Sequence, residues 1–194
     1  MKSTYFGRIY VRNISDEGIA KALSSARFMR GYALFPKENV PPKYPALQGE
    51  FFRVALLDLA HGTKCLFLQD FQKTFQLALS ISEVLKDRIV FGHRKLPLQD
   101  GSTLKAYFGS DCLMKLGEDE DEELMYRMGQ SEKERVMDVF SRFFEDKTEI
   151  SSVDGLIGRL GIARAEMGFQ EALGLLGSRI FVFIDKTSRL YLEM

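Results

Sequence analysis

The stretch Phe51-Phe52-Arg53-Val54-Ala55-Leu56-Leu57 is apolar at every position except Arg53. A strand with one face in water alternates apolar and polar residues, whereas a near-continuous apolar run marks a strand covered on both faces. The run therefore predicts a central strand. Downstream, His61-Gly62 separates Glu50–Leu59 from Lys64–Leu68, and the two arms read as a hairpin.

Upstream of this hairpin, Tyr5 to Val11 is rich in aromatic and β-branched residues and reads as another strand. Ser15 is placed to cap a helix with Asp16 and Glu17 in its first turn, and Ile19, Leu23 and Ala26 form its apolar face. Gly31 to Phe35 is extended and is stopped by Pro36. Lys37 to Gln48, with Pro41, Pro42 and Pro45, is a loop. On the far side of the hairpin, Asp70 caps a helix running to about Lys86. Phe71, Phe75, Ala78, Leu79, Ile81, Val84 and Leu85 share one arc of its wheel, with Gln72, Lys73, Gln76, Ser80 and Glu83 opposite. Ile89–Phe91, Leu96–Leu98 and Thr103–Phe108 add strand, the last two joined at Asp100-Gly101.

After Gly117 the pattern turns helical. Glu118–Met128 forms one helix, and the capping box Ser131–Glu134 heads a second that buries Val136, Met137, Phe140, Phe143 and Phe144. A Gly-rich helical stretch runs from Ser151 to Gly177, and Ile180–Ile184 with Leu190–Leu192 closes the chain as a hairpin. Strands first and helices second imply an α+β fold. Its sheet, antiparallel or mixed, comes from the N-terminal half and the C-terminal hairpin, with a helical block from about 118 to 177. If the last hairpin rejoins the sheet, residues 1–194 form one domain with a sub-block boundary near 117.

The chain has 194 residues, 45 % of them hydrophobic, enough to bury a full core. Its 16 Phe and absent Trp favour rings that need no hydrogen-bond partner, so most belong in that core. No apolar run approaches the roughly 20 residues of a membrane helix. Met1 to Gly7 meets Arg8 and Arg12 before any long apolar region, which is not a signal-peptide pattern. The two cysteines, Cys65 and Cys112, are too few for a disulfide scaffold. The expectation is a soluble, intracellular, cytoplasmic protein without a bound cofactor or metal.

Charge is distributed unevenly. Residues 1–117 hold 17 Lys/Arg and 10 Asp/Glu, and the remainder of the 27 of each sign gives 10 and 17 in residues 118–194. A net charge of zero therefore conceals halves of +7 and −7. The division falls at the run Glu118, Asp119, Glu120, Asp121, Glu122 and Glu123. Contiguous acids fan out around a helix and do not converge as calcium ligands do, so they read as a solvated helix start or as a surface for a basic partner. The two halves either neutralise each other or face partners.

Four short segments point to binding. Ile9-Tyr10-Val11-Arg12-Asn13-Ile14 and Arg30-Gly31-Tyr32-Ala33 resemble the two RNP strings of the RNA-recognition motif. That resemblance implies adjacent central strands on which Tyr10 and Tyr32 stack on bases while Arg12 and Arg30 meet phosphates. Two features depart from the family: residues 15–29 hold only a helix between the strings, and Leu34, Phe35 and Pro36 break the second string. A further basic cluster, Lys86, Arg88, His93, Arg94 and Lys95, offers phosphate contacts, with Arg94 and Lys95 the foremost candidates. Pro41-Pro42-Lys43-Tyr44 matches the PPxY pattern that WW domains bind, which makes Pro41, Pro42 and Tyr44 candidates for a protein partner.

Catalytic options are few. Cys112 with His61 or His93 is the one Cys/His set available, without a nucleophile signature around it. Gly155, Gly158 and Gly161 are followed by no Walker-type Lys-Ser/Thr, so they read as helix interfaces and caps. The leading expectation is a non-catalytic macromolecular interaction protein, an accessory or regulatory factor that binds a protein partner through segregated basic and acidic surfaces. A single-stranded nucleic-acid-binding α+β domain is the alternative, and a Cys/His enzyme comes third.

Overall fold

Val54, Ala55, Leu56 and Leu57 are all buried, and they alternate between two hydrophobic clusters on opposite faces of one sheet. The computed structural model describes residues 5–36, 51–97, 101–117, 130–145, 158–160, 168–175 and 177–187. Among them, eight strands form one antiparallel sheet: β1 (Phe6–Arg12), β2 (Tyr32–Pro36), β3 (Phe51–Asp58), β4 (Thr63–Leu68), β5 (Ile89–Lys95), β6 (Thr103–Phe108), β7 (Asp111–Leu116) and β8 (Arg179–Asp185). The order across the sheet is β2-β8-β3-β4-β1-β5-β6-β7. An α+β architecture is therefore present. β8 lies between β2 and β3, so residues near the C-terminus complete the sheet's interior.

One face is covered by α1 (Asp16–Ser25) and α2 (Thr74–Val84), the other by α3 (Gln130–Phe144), Leu160 and α4 (Phe169–Leu173). Ser15 caps α1 by accepting the Gly18 N–H at 3.0 Å, and Ile19, Leu23 and Ala26 are buried as their spacing predicts. Asp70 accepts the Gln72 N–H at the head of a short 3₁₀ turn leading into α2. That turn presses so closely on β1 that a Cβ at Gly7 would stand 2.7 Å from the Phe71 Cα, which only glycine avoids.

Four local readings are corrected. In α2 the deepest positions are Leu77, Ala78 and Ile81, while Phe75, Leu79 and Val84 pack at the cluster margin. Ser80, expected on the wet side, is buried because its Oγ accepts the Phe28 N–H of the turn after α1. In α3 the buried set contains Val139, and Met137 is only half-buried. The strand expected at Ile89–Phe91 runs on to Lys95 and itself pairs with β6, so Leu96 and Pro97 belong to the connection. β7 was unforeseen; it returns from β6 through Gly109, whose φ of 59° suits the tight turn. Glu118–Met128, residues 151–157 and Leu190–Leu192 fall outside the described residues.

Candidate functional site

β1 is the spine of the protein's charge arrangement. It pairs with β4 on one side and β5 on the other, placing Arg8 between Phe67 and His93, and Tyr10 between Cys65 and Phe91. These side chains face α3 and α4. Arg8 is fully buried, its guanidinium 3.7 Å from the Phe6 ring centroid and 5.7 Å from that of Phe67. A buried guanidinium keeps its charge, so stacking against ring faces is part of what makes the position tolerable. Burial, and secondly the neighbouring Cys65, push the Tyr10 phenol up, with Arg8 opposing them in part. Burial likewise raises the Cys65 thiol.

His93 reaches Ser102, a residue the sequence reading passed over, with Nε2 2.8 Å from the hydroxyl oxygen. A serine–histidine contact at that distance is the geometry of an activated nucleophile. Its electrostatics are not. Burial, and then the Arg8 charge, lower His93 to about 3, so the imidazole has little affinity for a proton at neutral pH. Its Nδ1 has no orienting partner among the described residues. The pair is therefore read as a buried polar contact that ties the β5–β6 connection to the sheet.

Cys112 is exposed near the start of β7 and donates to the Met114 carbonyl at 3.4 Å. It pairs with Tyr107 on the α2 face, whereas His93 lies on the α3 face. His61 sits in the β3–β4 connection, four strand spacings away, or roughly 19 Å at about 4.8 Å per strand. The geometry brings Cys112 together with neither histidine. Among the described residues, no group of three His, Cys, Asp or Glu is placed to hold a metal ion.

The stacking arrangement implied by the RNP-like strings is not formed. Tyr10 is buried, and β1 and β2 are separated by β4, β3 and β8, so Tyr32 stands on a distant edge strand. Arg30 is exposed beside it. Arg12 acts as a clamp: Nε and Nη2 donate to the His61 carbonyl at 3.0 and 2.9 Å, and Nη1 to the Phe143 carbonyl at 2.7 Å. Lys95 is half-buried opposite Phe6. Pro41, Pro42, Tyr44 and the acidic residues 118–123 lie outside the described residues.

The remaining basic candidate, Arg94, belongs to an arrangement the sequence did not reveal. On the α2 face, the Arg94 guanidinium and the Lys105 ammonium each lie 4.5 Å from the Phe75 ring centroid. Lys105 on β6 is directly opposite Lys115 on β7, and Lys115 is exposed. Two like charges in one cross-strand pair are unfavourable. Tyr107, two residues beyond Lys105 on the same face of β6, is pushed up to about 12 by burial, with Cys112 adding and Arg94 opposing. β7 is the last strand of the sheet, and no described strand pairs with its outer side.

The two charge halves meet in an unexpected sense. Lys64 pairs with Asp16 at 2.6 Å and also with Asp58, all within the basic half. Arg179, from the acidic half, joins the same network through Asp16 at 2.7 Å and Asp58 at 2.9 Å. The cation comes from the acidic half and the acids from the basic half, so this network leaves the excess of each half in place. The Lys64 ammonium and then the Arg179 guanidinium hold the Asp58 carboxyl below its ordinary range. The chain matches no known protein family, no curated protein and no solved structure.

Proposed function

We propose that the protein is a non-catalytic interaction protein whose β5–β7 face binds an acidic, extended segment of a partner protein. The observation that carries this reading is the Lys105–Lys115 cross-strand pair beside Arg94 at the open edge of the sheet. An added strand hydrogen-bonds to an edge through its backbone, and alternate side chains face the same side as Lys115. Carboxylates at those positions offset the like-charge repulsion between Lys105 and Lys115, beside which no ion pair is formed among the described residues. The aromatic residues here favour a peptide over nucleic acid. Phe75 is covered by Arg94 and Lys105, and Tyr107 is buried, so neither offers an open ring face for a base.

The test is fluorescence anisotropy with a labelled peptide of alternating Glu and Thr. Saturable binding that weakens with salt is expected, reduced at least about tenfold, or about 1.4 kcal/mol, by Lys105→Glu with Lys115→Glu. Unchanged affinity in the double variant refutes the proposal. Tighter binding of oligo(dT) or oligo(U) than of the peptide reassigns the face to single-stranded nucleic acid. Self-association abolished by Lys115→Glu reassigns it to a second copy of the chain.

A further inference from the structure

At the end of the sheet where β1 and β6 finish and β5 begins, a pocket of about 230 Å³ opens beside the last turn of α3. Ile89, Phe108 and Phe143 give it an apolar lining, and three guanidinium groups, Arg12, Arg88 and Arg142, line it too. At roughly 30 Å³ per water, this space admits a group of several heavy atoms. The arginines come from β1, from the turn before β5 and from α3, so their convergence is a product of tertiary structure.

An arginine has five N–H donors, so its occupancy can be counted. Arg12 commits three of them to the carbonyls of His61 and Phe143, which leaves two. Among the described residues, no carboxylate stands within ion-pair distance of it. Arg88 gives Nε and Nη2 to Asp87 at 3.0 and 2.9 Å, and Nη1 to the Arg12 and Asn13 carbonyls at 3.2 and 2.7 Å, which leaves one donor. Arg142 reaches Asp138 only at 3.9 Å and otherwise lies over the Phe108 ring at 5.2 Å.

Two carboxylates, Asp87 and Glu145, line the same pocket, and each is already engaged by a neighbour in that lining. Asp87 is held by Arg88, and Glu145 accepts both contacts of the Asn13 side-chain amide, at 3.3 and 3.4 Å. Arg12 is thus a partly buried cation, fixed in place by backbone carbonyls, with spare donors and, among the described residues, no counter-ion. Holding such a group rigid without an anion forgoes most of what charge-assisted bidentate hydrogen bonding offers.

We infer that this pocket binds a tetrahedral oxyanion, the phosphate group of a small phosphorylated molecule, through Arg12 and Arg142, with the last Arg88 donor as a third contact. Donors arriving from three elements suit an acceptor with three or four oxygens better than a planar carboxylate with two. The apolar lining then meets whatever carbon the phosphate bears. This inference is independent of the β7 edge, which uses other residues.

Isothermal titration with inorganic phosphate, against sodium chloride and sodium acetate at matched ionic strength, tests it on the whole chain. Saturable phosphate binding is expected, at least about tenfold tighter than acetate. Arg142→Gln, at a half-exposed side chain, is expected to weaken phosphate at least about tenfold while the protein keeps its unfolding midpoint in urea. Arg12→Lys keeps the charge but loses the fork and is expected to weaken binding too. Lys105→Glu with Lys115→Glu is expected to leave phosphate binding unchanged. Equal affinity for acetate and phosphate, or an Arg142→Gln protein that is folded and binds phosphate as before, overturns the inference.

Discussion

The middle of the sheet and its β7 edge treat positive charge in opposite ways. In the middle, Arg8 is buried between aromatic rings, and His93 beside it is held neutral by the same burial. At the edge, Lys105 and Lys115 confront each other across neighbouring strands with solvent on one side. The centre spends packing to tolerate a charge; the edge keeps a repulsion that a solvated sheet could lose by one substitution. A group held against its own preference at an accessible position is the better place to look for a partner, because there a ligand can supply what the fold withholds.

The largest expected effect breaks the centre. Phe91 is fully buried, with its ring centroid 4.8 Å from Phe140 and 4.7 Å from Phe143, and joins β5 to α3. Phe91→Ala is expected to cost about 3–5 kcal/mol in urea unfolding, by lost burial plus the cavity left behind. A cost below about 1 kcal/mol would mean that the α3 layer contributes little to the core.

Next in size is the pH dependence of the centre. Folded His93 stays neutral down to about pH 3, whereas in the unfolded chain a histidine takes a proton near 6.5. Between those values the unfolded chain binds the additional proton, so stability falls as pH falls, by up to about 1.4 kcal/mol per pH unit. Asp58, held below its ordinary range by Lys64 and Arg179, adds a loss only as pH drops below the usual carboxylate value. Urea midpoints measured from pH 7 to 4 should therefore decline from about pH 6.5 downward. His93→Gln should flatten the decline above pH 4.5, and an unchanged slope would place the titrating group elsewhere.

The smallest effect sharpens the contrast. Lys115→Glu replaces a like-charge cross-strand pair by an opposite-charge one and is expected to stabilise the protein by about 0.2–1 kcal/mol. The same variant should lose affinity for the acidic peptide. Stability gained with binding lost would mark the edge as functional, whereas destabilisation by Lys115→Glu would show that Lys115 already has compensating contacts.

Much of the layered frame was legible because it rests on local signals. The apolar run through Leu57 identified a strand covered on both faces, and Ser15 with Asp16 and Glu17 located the start of α1. β7 was missed for a physical reason. Asp111-Cys112-Leu113-Met114-Lys115-Leu116 has no β-branched or aromatic residue, so its strand state comes from pairing with β6 and not from propensity. Little of the candidate site was legible. Arg8 and Arg12 lie on the same strand and face, yet one is entombed and the other clamps a loop to a helix end. Nothing in a β1 sequence that reads Arg-Ile-Tyr-Val-Arg separates those fates, since burial of a long cationic side chain is set by what packs over it.

By itself the sequence determined the α+β class, the Ser15 cap of α1 and the identity of the buried strand, whereas the separation of Cys112 from both histidines came from the sheet order. Only the tertiary structure decided that β8 enters the middle of the sheet and that β1 and β2 lie apart. It also placed Lys105 against Lys115 and gathered Arg12, Arg88 and Arg142 around one pocket. The reason is the range of the forces. Propensity, capping and hydrophobic period act over a few neighbouring residues, whereas strand order and charge convergence join residues as far apart as Arg12 and Phe143, through non-local pairing.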